Sequence, residues 1–249
     1  LISKIGYDLF GLQAMELYRN EHINTEYIVT DPRHPSGMAM IAVNSSGENY
    51  VIVSPGANAT LGIDDIRRAE EEIVTADIVL MQLEIPMATA AYAIDMAHSH
   101  GVRVVLNPAP VPPSISDELL SKLYAITPNR IEAGMISGIK VTDMASAASA
   151  AQAISDRGVE NVVITLGRDG VYLKDGDVSG GYPACPVDAI DTTGAGDVFC
   201  GAFCVYIAEG HSITDAVKFA TSASSLVITR IGAQCAIPYR HEVGPYTMK

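Results

Sequence analysis

The stretch that decides the fold of this chain is DTTGAGD, residues 191–197, which is followed by the apolar segment VFCGAF at residues 198–203. This arrangement predicts a helix that begins near Ala195. Gly194, Ala195 and Gly196 carry almost no side chain, so their backbone N–H groups can converge on an anion that the helix dipole favours. Asp197 lies in the first turn, where a carboxylate can take a proton from an alcohol that attacks a bound phosphoryl group. The pattern therefore indicates a small-molecule kinase.

Each part of this string also has a plainer interpretation. An aspartate in the first turn of a helix is commonly a cap or a partner of the helix dipole, and a Gly-Ala-Gly turn is common as well. The whole string is far rarer than its parts. The chain has no GxxxxGK[ST] motif, so it is not a P-loop kinase, and Gly194-x-Gly196 lacks the third glycine of a dinucleotide fingerprint.

Short apolar runs alternate with longer helical patterns through the rest of the chain. Buried strands are predicted at residues 77–83, 102–106, 123–126 and 161–165, with a hairpin that starts at Val171 and turns at Asp175-Gly176. Helices are predicted at residues 86–99, 116–122, 129–137, 142–157, 195–209 and 213–229, with Thr142 as one N-cap and with Gly158 and Gly210 after two of the ends. The predicted fold class is α/β, a mostly parallel central sheet flanked by helices.

Polar residues or bare backbone follow each predicted parallel strand. Glu84, Asn107, Asn129 and Gly167 all stand at or just after such an end. Ligands of open α/β sheets gather at the carboxyl ends of the strands, so these residues are expected at one edge of the sheet. Any one of them could instead only cap the helix that follows it.

Length and charge narrow the class of protein. A chain of 249 residues with 48% hydrophobic residues and no linker-like segment predicts one domain over residues 1–249. The formal net charge of −13 argues against a nucleic-acid partner, which is normally bound by clusters of Lys and Arg. The same charge would repel bare ATP, so a divalent cation is expected to accompany the nucleotide.

The cysteines and the hydropathy pattern bear on compartment. Cys185, Cys200, Cys204 and Cys235 form no CxxC pair and no zinc spacing, which predicts free thiols rather than a structural metal. The sequence shows no signal peptide and no apolar run long enough to span a bilayer. A cytoplasmic protein without a membrane partner is therefore expected.

Several strings in a fixed order extend the kinase interpretation over nearly the whole chain. They are GMAMIAVN from residue 37, GANA from 56, MQLE from 81, NPAP from 107, TPN from 127, ITLG from 164, DTTGAGD from 191 and TRxGAQ from 229. With these strings the chain resembles the ribokinase-like (PfkB) carbohydrate kinases. The resemblance implies a ribokinase-like fold with a small β lid, and ATP-dependent phosphorylation of a primary hydroxyl of a sugar. The MQLE and NPAP strings favour D-ribose, which would give ribose 5-phosphate.

Other functions stay open at this point. Fructose, a keto-deoxy sugar acid or a nucleoside such as adenosine could be the acceptor, because fold likeness does not choose among them. A non-catalytic sensor of nucleotide or sugar is the alternative outside the enzyme class.

The resemblance implies roles for individual residues. Asp197 would be the catalytic base and contact the sugar, with Gly194, Ala195 and Gly196 as the anion hole, and Glu84 would be a further sugar contact. The MgATP positions would be Asn129, Thr165, Gly167, Gly170, Gly196 and Thr221, with Glu132 holding Mg²⁺ through water and Thr221 near the adenine. A monovalent cation, K⁺ by analogy, would be held by Asp191, Thr193, Val227, Arg230, Gly232 and Ala236.

Three of these assignments have plainer alternatives. Asn129 and Glu132 also fit an ordinary helix cap, and Gly167 and Gly170 also fit a plain turn. Glu84 could be a solvated carboxylate at the end of a strand, because charged residues mostly lie exposed.

Two expectations concern the first part of the chain. Residues 38–53 predict two lid strands, joined by the polar turn 44–49, whose apolar faces could pack on a second copy to make a homodimer or cover their own domain. Residues 1–8 resemble a strand and turn that the family places after its first strand and after most of its sugar contacts. Loss of a central strand would remove roughly 10 kcal/mol of burial, so the chain is expected to be part of a longer protein.

Overall fold

The computed structural model describes residues 1–43, 49–176 and 178–246. Its strands are β1 Ser3–Gly6, β2 Ile28–Asp31, β3 Met38–Val43, β4 Asn49–Ser54, β5 Ile78–Met81, β6 Arg103–Leu106, β7 Ala125–Ile126, β8 Asn161–Thr165, β9 Val171–Asp175 and β10 Val178–Tyr182. Its helices are α1 Leu9–Asn20, α2 Ile63–Arg68, α3 Glu70–Val74, α4 Met87–Ser99, α5 Asp117–Leu120, α6 Arg130–Ser137, α7 Met144–Ser155, α8 Ala195–Ala208 and α9 Ile213–Val227.

The chain divides into two compact units. The first unit comprises residues 1–75 and 83–96, and the second comprises residues 76–82 and 97–249. The prediction that residues 1–249 form one domain stays a prediction.

The first unit contains two small sheets. Strands β1 and β2 pair in parallel, and strands β3 and β4 pair antiparallel in register from Met38 with Ser54 to Val43 with Asn49. Asp31 ties this unit together, because its carboxylate accepts hydrogen bonds from the Arg33 amide (2.8 Å) and the Thr60 hydroxyl (2.8 Å). The pairing of β3 with β4 agrees with the two strands predicted here, and their role as a lid stays a prediction. The predicted turn at residues 44–49 lies mostly outside the described residues.

The second unit is built on one six-stranded sheet in the order β10-β9-β8-β7-β6-β5. Strands β5 to β8 are parallel, and β9 and β10 continue the sheet as an antiparallel hairpin. The predicted α/β fold with a mostly parallel sheet is confirmed. All the parallel strands therefore end at the same edge, and that edge positions the site.

The core of the second unit lies between this sheet and two long helices. Phe199 and Phe203 of α8 and Val217 of α9 pack on Val163 of β8 and Leu173 of β9, and all five side chains are buried. Helix α7 contacts β8 and β9, and its buried alanines allow close packing. Strands β6 to β8 are buried along most of their length, as expected of parallel strands that carry helices on the sheet.

Two local features differ from or extend the sequence predictions. The N-cap of α7 is Asp143, whose carboxylate accepts from the Ser146 amide (2.8 Å), so the prediction of Thr142 as the cap is wrong. The Thr142 amide instead donates to the Ser146 hydroxyl (2.9 Å). Among the described residues, each helix falls short of the length and apolar character that crossing a bilayer requires.

Candidate active site

Helix α8 begins at a glycine whose backbone needs the left-handed region. Gly194 is the N-cap with φ of 76°, a conformation that a β-carbon disfavours. The Ala195 amide donates to the Thr192 carbonyl (3.3 Å), whereas the amides of Gly194, Gly196 and Asp197 have no hydrogen-bond partner among the described residues. A β-carbon at Gly194 or Gly196 would meet only open space. The helix end therefore presents free amides to a space large enough for an anion.

Asp197 stands in the first turn of α8, directly beside these amides. It remains accessible to solvent, and its carboxylate has no hydrogen-bond partner among the described residues. The surrounding protein withdraws water from it, and this desolvation raises the pKa of the carboxyl above its ordinary value. An unpaired carboxylate with a raised pKa is suited to accept a proton.

A small cavity of about 200 Å³ brings Asp197 together with residues from the ends of three parallel strands. It is lined by Asn107, Ala109, Thr127, Asn129, Glu132, Thr165, Gly196, Asp197 and Cys200. The expectation that polar residues after β6, β7 and β8 gather at one edge of the sheet agrees with this lining for Asn107 and Asn129.

Asn129 and Glu132 form a reciprocal cap at the start of α6. Asn129 Oδ1 accepts from the amides of Ile131 (2.8 Å) and Glu132 (2.9 Å), and Glu132 Oε2 accepts from the Asn129 amide (2.8 Å). Asn129 and Glu132 therefore do cap the helix, and both residues also line the small cavity. Desolvation raises the pKa of the Glu132 carboxyl, and the Asn129 amide lowers it by a lesser amount.

This donor set fits a divalent cation that is held indirectly. Glu132 Oε1 has no hydrogen-bond partner among the described residues, so it can accept from metal-bound water. Within residues 1–43, 49–176 and 178–246, no group of three or more His, Cys, Asp or Glu side chains is arranged to hold a metal ion. Mg²⁺ usually keeps several waters and takes the rest of its ligands from one or two carboxylates and substrate phosphates.

A larger cavity of about 460 Å³ adjoins the small one. Its wall includes the end of β8, residues 184–189, the start of α8 and the last turns of α9. Thr165 and Gly196 line both cavities. The two cavities therefore meet near these two residues.

The predicted nucleotide residues line this larger cavity. Thr165 ends β8, and its amide donates to the Pro128 carbonyl (3.0 Å). Gly167 and Gly170 have φ of 60° and 93°, and they enclose a tight turn at its rim. Thr221 is buried, and its hydroxyl donates to the Val217 carbonyl (2.8 Å), which leaves the oxygen as an acceptor toward the cavity.

The predicted monovalent-cation residues come from two segments that Asp191 joins. Asp191 Oδ1 accepts from the Thr193 amide (2.9 Å), and Oδ2 accepts from the Gly232 amide (3.0 Å). Hydrogen bonds from Thr193 and from the Gly232 amide lower the pKa of the Asp191 carboxyl. The Val227 carbonyl accepts from the Arg230 amide (3.1 Å), and Ala236 is buried in a 3₁₀ turn. Carboxylate and carbonyl oxygens suit a hard cation, and the assignment stays a prediction.

Glu84 belongs to the first unit and lies exposed on a bend between β5 and α4. Its role toward a sugar stays a prediction. The larger cavity is also lined by residues that the sequence analysis did not select, among them Cys185, Ser224, Ser225 and Arg168. The three-to-four-residue spacing of Thr221, Ser225 and Ile228 along α9 was the signal that could have placed Ser225 on the same face as Thr221.

Comparison with known proteins identifies carbohydrate kinases as relatives of this chain. A family model described as pfkB family carbohydrate kinase matches residues 1–240. The chain is 41% identical over 241 residues to the ribokinase of Haemophilus influenzae, and the aligned region covers 97% of this chain and 78% of that protein. It is 40% identical over 243 residues to the ribokinase of Staphylococcus aureus, with 97% and 80% covered. The structure of Arabidopsis thaliana ribokinase complexed with ribose and ATP matches with a TM-score of 0.88 at 28% identity, with 97% and 79% covered.

Proposed function

The chain belongs to the pfkB family of carbohydrate kinases, and we propose that it transfers the γ-phosphoryl group of MgATP to the primary hydroxyl of D-ribose, giving ribose 5-phosphate. The prediction of a carbohydrate kinase is confirmed by this membership. The main observation in support of this reaction is that Asp197 lies next to free amides at the start of α8 and lines the small cavity. The small cavity shares lining residues with the larger one, which is large enough for a nucleotide.

Proton transfer and charge stabilisation are assigned to neighbouring groups of α8. The Asp197 carboxylate takes the proton of the sugar hydroxyl while the hydroxyl oxygen attacks the γ-phosphorus and the bond from phosphorus to the leaving oxygen of ADP breaks. The amides of Gly194 and Gly196 donate to the phosphoryl oxygens as they gain charge. Positioning and electrostatics carry most of the rate enhancement in such a reaction.

Two cations support this assignment. Asn129 and Glu132 are proposed to hold Mg²⁺ through water, and bound Mg²⁺ would neutralise charge on the phosphates. Asp191, Thr193 and the backbone of residues 227–236 are proposed to hold a monovalent cation, K⁺ by analogy with the family. That position is supported by the two amides that already converge on Asp191, because an ion there would fix the loop that leads into α8.

A second copy of the chain and a cytoplasmic location belong to the same proposal. Strands β3 and β4 are proposed as a lid, and their exposed side chains Met38, Met40 and Ile52 as a surface for a second copy. The four cysteines are free thiols, which supports work in the reducing cytoplasm.

A turnover assay with the intact chain tests the proposal. MgATP is supplied with D-ribose, 2-deoxy-D-ribose, fructose, a keto-deoxy sugar acid or adenosine, and both ADP release and the mass of the product are recorded. Ribose 5-phosphate with the highest kcat/KM supports the proposal, and a higher kcat/KM with another acceptor would replace ribose. Nucleotide binding without turnover on any acceptor would favour the non-catalytic sensor.

A further inference from the structure

We propose that Arg168 binds the α- and β-phosphates of the nucleotide and supplies the positive charge that the larger cavity otherwise lacks. The inference rests on the proposed function, since it takes the larger cavity as the nucleotide site. Among the described residues that line this cavity, Arg168 is the one with a charged side chain. In a protein with a net charge of −13, a single cation in the wall of a nucleotide-sized cavity is informative.

The charge of Arg168 is not paired with an acidic side chain of the described residues. Arg168 is exposed and makes no hydrogen bond or ion pair with the described residues. The neighbouring acid, Asp169, is instead held by Arg130, whose Nη2 lies 2.7 Å from Asp169 Oδ2. Arg130 also donates to the Leu166 carbonyl (2.5 Å) and the Thr142 carbonyl (3.2 Å). Arg130 therefore neutralises Asp169 and leaves the Arg168 guanidinium available to a ligand.

The turn that carries Arg168 is fixed in place. The Leu166 amide donates to the Gly170 carbonyl (2.8 Å), and the Gly170 amide donates to the Gly167 carbonyl (2.9 Å). A β-carbon at Gly170 would lie 2.0 Å from the Tyr182 carbonyl oxygen, so strand β10 also presses against this turn. Because the backbone of the turn is already ordered, binding of a ligand would cost conformational entropy only in the Arg168 side chain.

The position of the turn selects the phosphates that Arg168 meets. The γ-phosphoryl group must reach Asp197 in the small cavity, so the triphosphate extends from one cavity to the other where they meet, near Thr165 and Gly196, which line both. Arg168 follows Thr165 by three residues and lines the larger cavity but not the small one. It therefore stands on the side of the α- and β-phosphates, whose charge changes little in the reaction. Such a contact strengthens the ground state and the transition state alike.

Arg168→Ala measures this contact by the split between KM and kcat. The KM for MgATP and the Kd for ADP are expected to rise about tenfold at low salt, an energy of the size that one partly solvated charge pair contributes. The kcat at saturating MgATP and the KM for the sugar are expected to stay within about twofold, because the contact is uniform. Salt above about 0.5 M should shrink the effect on the Kd, since an exposed pair is screened.

Three further measurements separate the phosphate contact from other roles. Arg168→Lys is expected to recover most of the affinity, and Arg168→Glu to weaken ADP binding more than Arg168→Ala does. The loss in Arg168→Ala should grow from adenosine through AMP to ADP when binding is measured by titration calorimetry. Lys140→Ala, which removes an exposed cation of the same unit that lines neither cavity, is the matched control for net charge and should leave the Kd for ADP unchanged.

The outcomes are distinct from those that test the kinase assignment. An equal loss for adenosine and ADP, or a Kd for ADP within twofold of the parent in Arg168→Ala, would overturn the phosphate contact. ADP binding that depends on Arg168 without any sugar phosphorylation would support the contact and reject only the proposed function. Absence of ADP binding by the parent chain would overturn both.

Discussion

Replacement of Asp197 by Asn isolates proton transfer from the other properties of the site. Asparagine keeps the shape of the side chain, and Asp197 makes no hydrogen bond to the described protein that the change would break. Turnover is expected to fall by about two orders of magnitude or more, the usual contribution of a positioned base, which corresponds to about 2.7 kcal/mol in the barrier. Binding of ADP is expected to be no weaker than in the parent, because the variant removes a negative charge next to the phosphates.

The raised pKa of Asp197 fixes the direction of two further effects. Since the reactive form is the carboxylate, kcat/KM of the parent should decline as the pH falls through this raised pKa, and the residual activity of Asp197→Asn should lack that decline. A carboxyl whose pKa is higher in the folded chain than in the unfolded chain stabilises the fold below its unfolded pKa and loses that contribution as the pH rises through its folded pKa. At neutral pH the variant should therefore melt no earlier than the parent.

The assay compares three proteins under one set of conditions. Parent, Asp197→Asn and Asp215→Asn are measured for kcat, for the Kd of ADP and for Tm. Asp215 is the matched control, because it is an exposed aspartate in the first turn of the neighbouring helix α9 and lines neither of the two cavities assigned to the nucleotide. A kcat for Asp197→Asn within about threefold of the parent would refute the assigned role, since a positioned base contributes far more. A fall in Tm that parallels the loss of kcat would attribute the loss to folding instead.

Three other perturbations test the surroundings of Asp197. Gly170→Ala places a β-carbon 2.0 Å from a backbone oxygen of β10 at a φ of 93°, so we expect it to lower the free energy of unfolding by about 3 kcal/mol. Gly167→Ala, whose β-carbon would meet open space, should lower it by about 1 kcal/mol. Thermal melts of the two variants measure the difference. Asp191→Asn should abolish activation by monovalent cations, which K⁺ titrations measure, and lower Tm at neutral pH, which melts measure. The difference in Tm should shrink as the pH falls, because a carboxylate with a lowered pKa stabilises the fold only while it is ionised. Cys235 is exposed and Cys185 lines the larger cavity, so saturating ADP should slow alkylation of Cys185 and leave that of Cys235 unchanged in peptide mass spectra.

The sequence predicted the elements that depend on local patterns. Strand β8 has the predicted bounds, because the β-branched run Val162-Val163-Ile164 is flanked by the polar Asn161 and Thr165, which leaves few alternatives. Helix α8 begins at the predicted residue, since Gly194 supplies the left-handed conformation that starts it. From β5 onward the other elements start and end within two residues of their predicted bounds. The cap of α7 is Asp143 rather than Thr142, because two adjacent side chains can both accept a helix amide.

Features that join distant segments were beyond local patterns. The Asp191 carboxylate reaches the Gly232 amide across 41 residues, and no spacing in the sequence encodes that approach. The shared position of Thr165 and Gly196 between two cavities depends on how α8 packs on the sheet. The family resemblance selected Asp191, Thr165 and Gly196 but not Arg168, because a lone arginine inside a Gly-x-x-Gly turn looks like any solvated charge.

The placement of charge in the small cavity is the reason we expect a divalent cation to accompany the nucleotide. The small cavity presents two carboxylates, Asp197 and Glu132, and desolvation raises the pKa of both. The free amides of α8 carry only partial positive charge, and Arg168 stands at the other cavity. A γ-phosphate brought next to two carboxylates would be repelled unless a cation lay between them. Removal of Mg²⁺ should therefore raise the KM for ATP even in Asp197→Asn, because Glu132 remains.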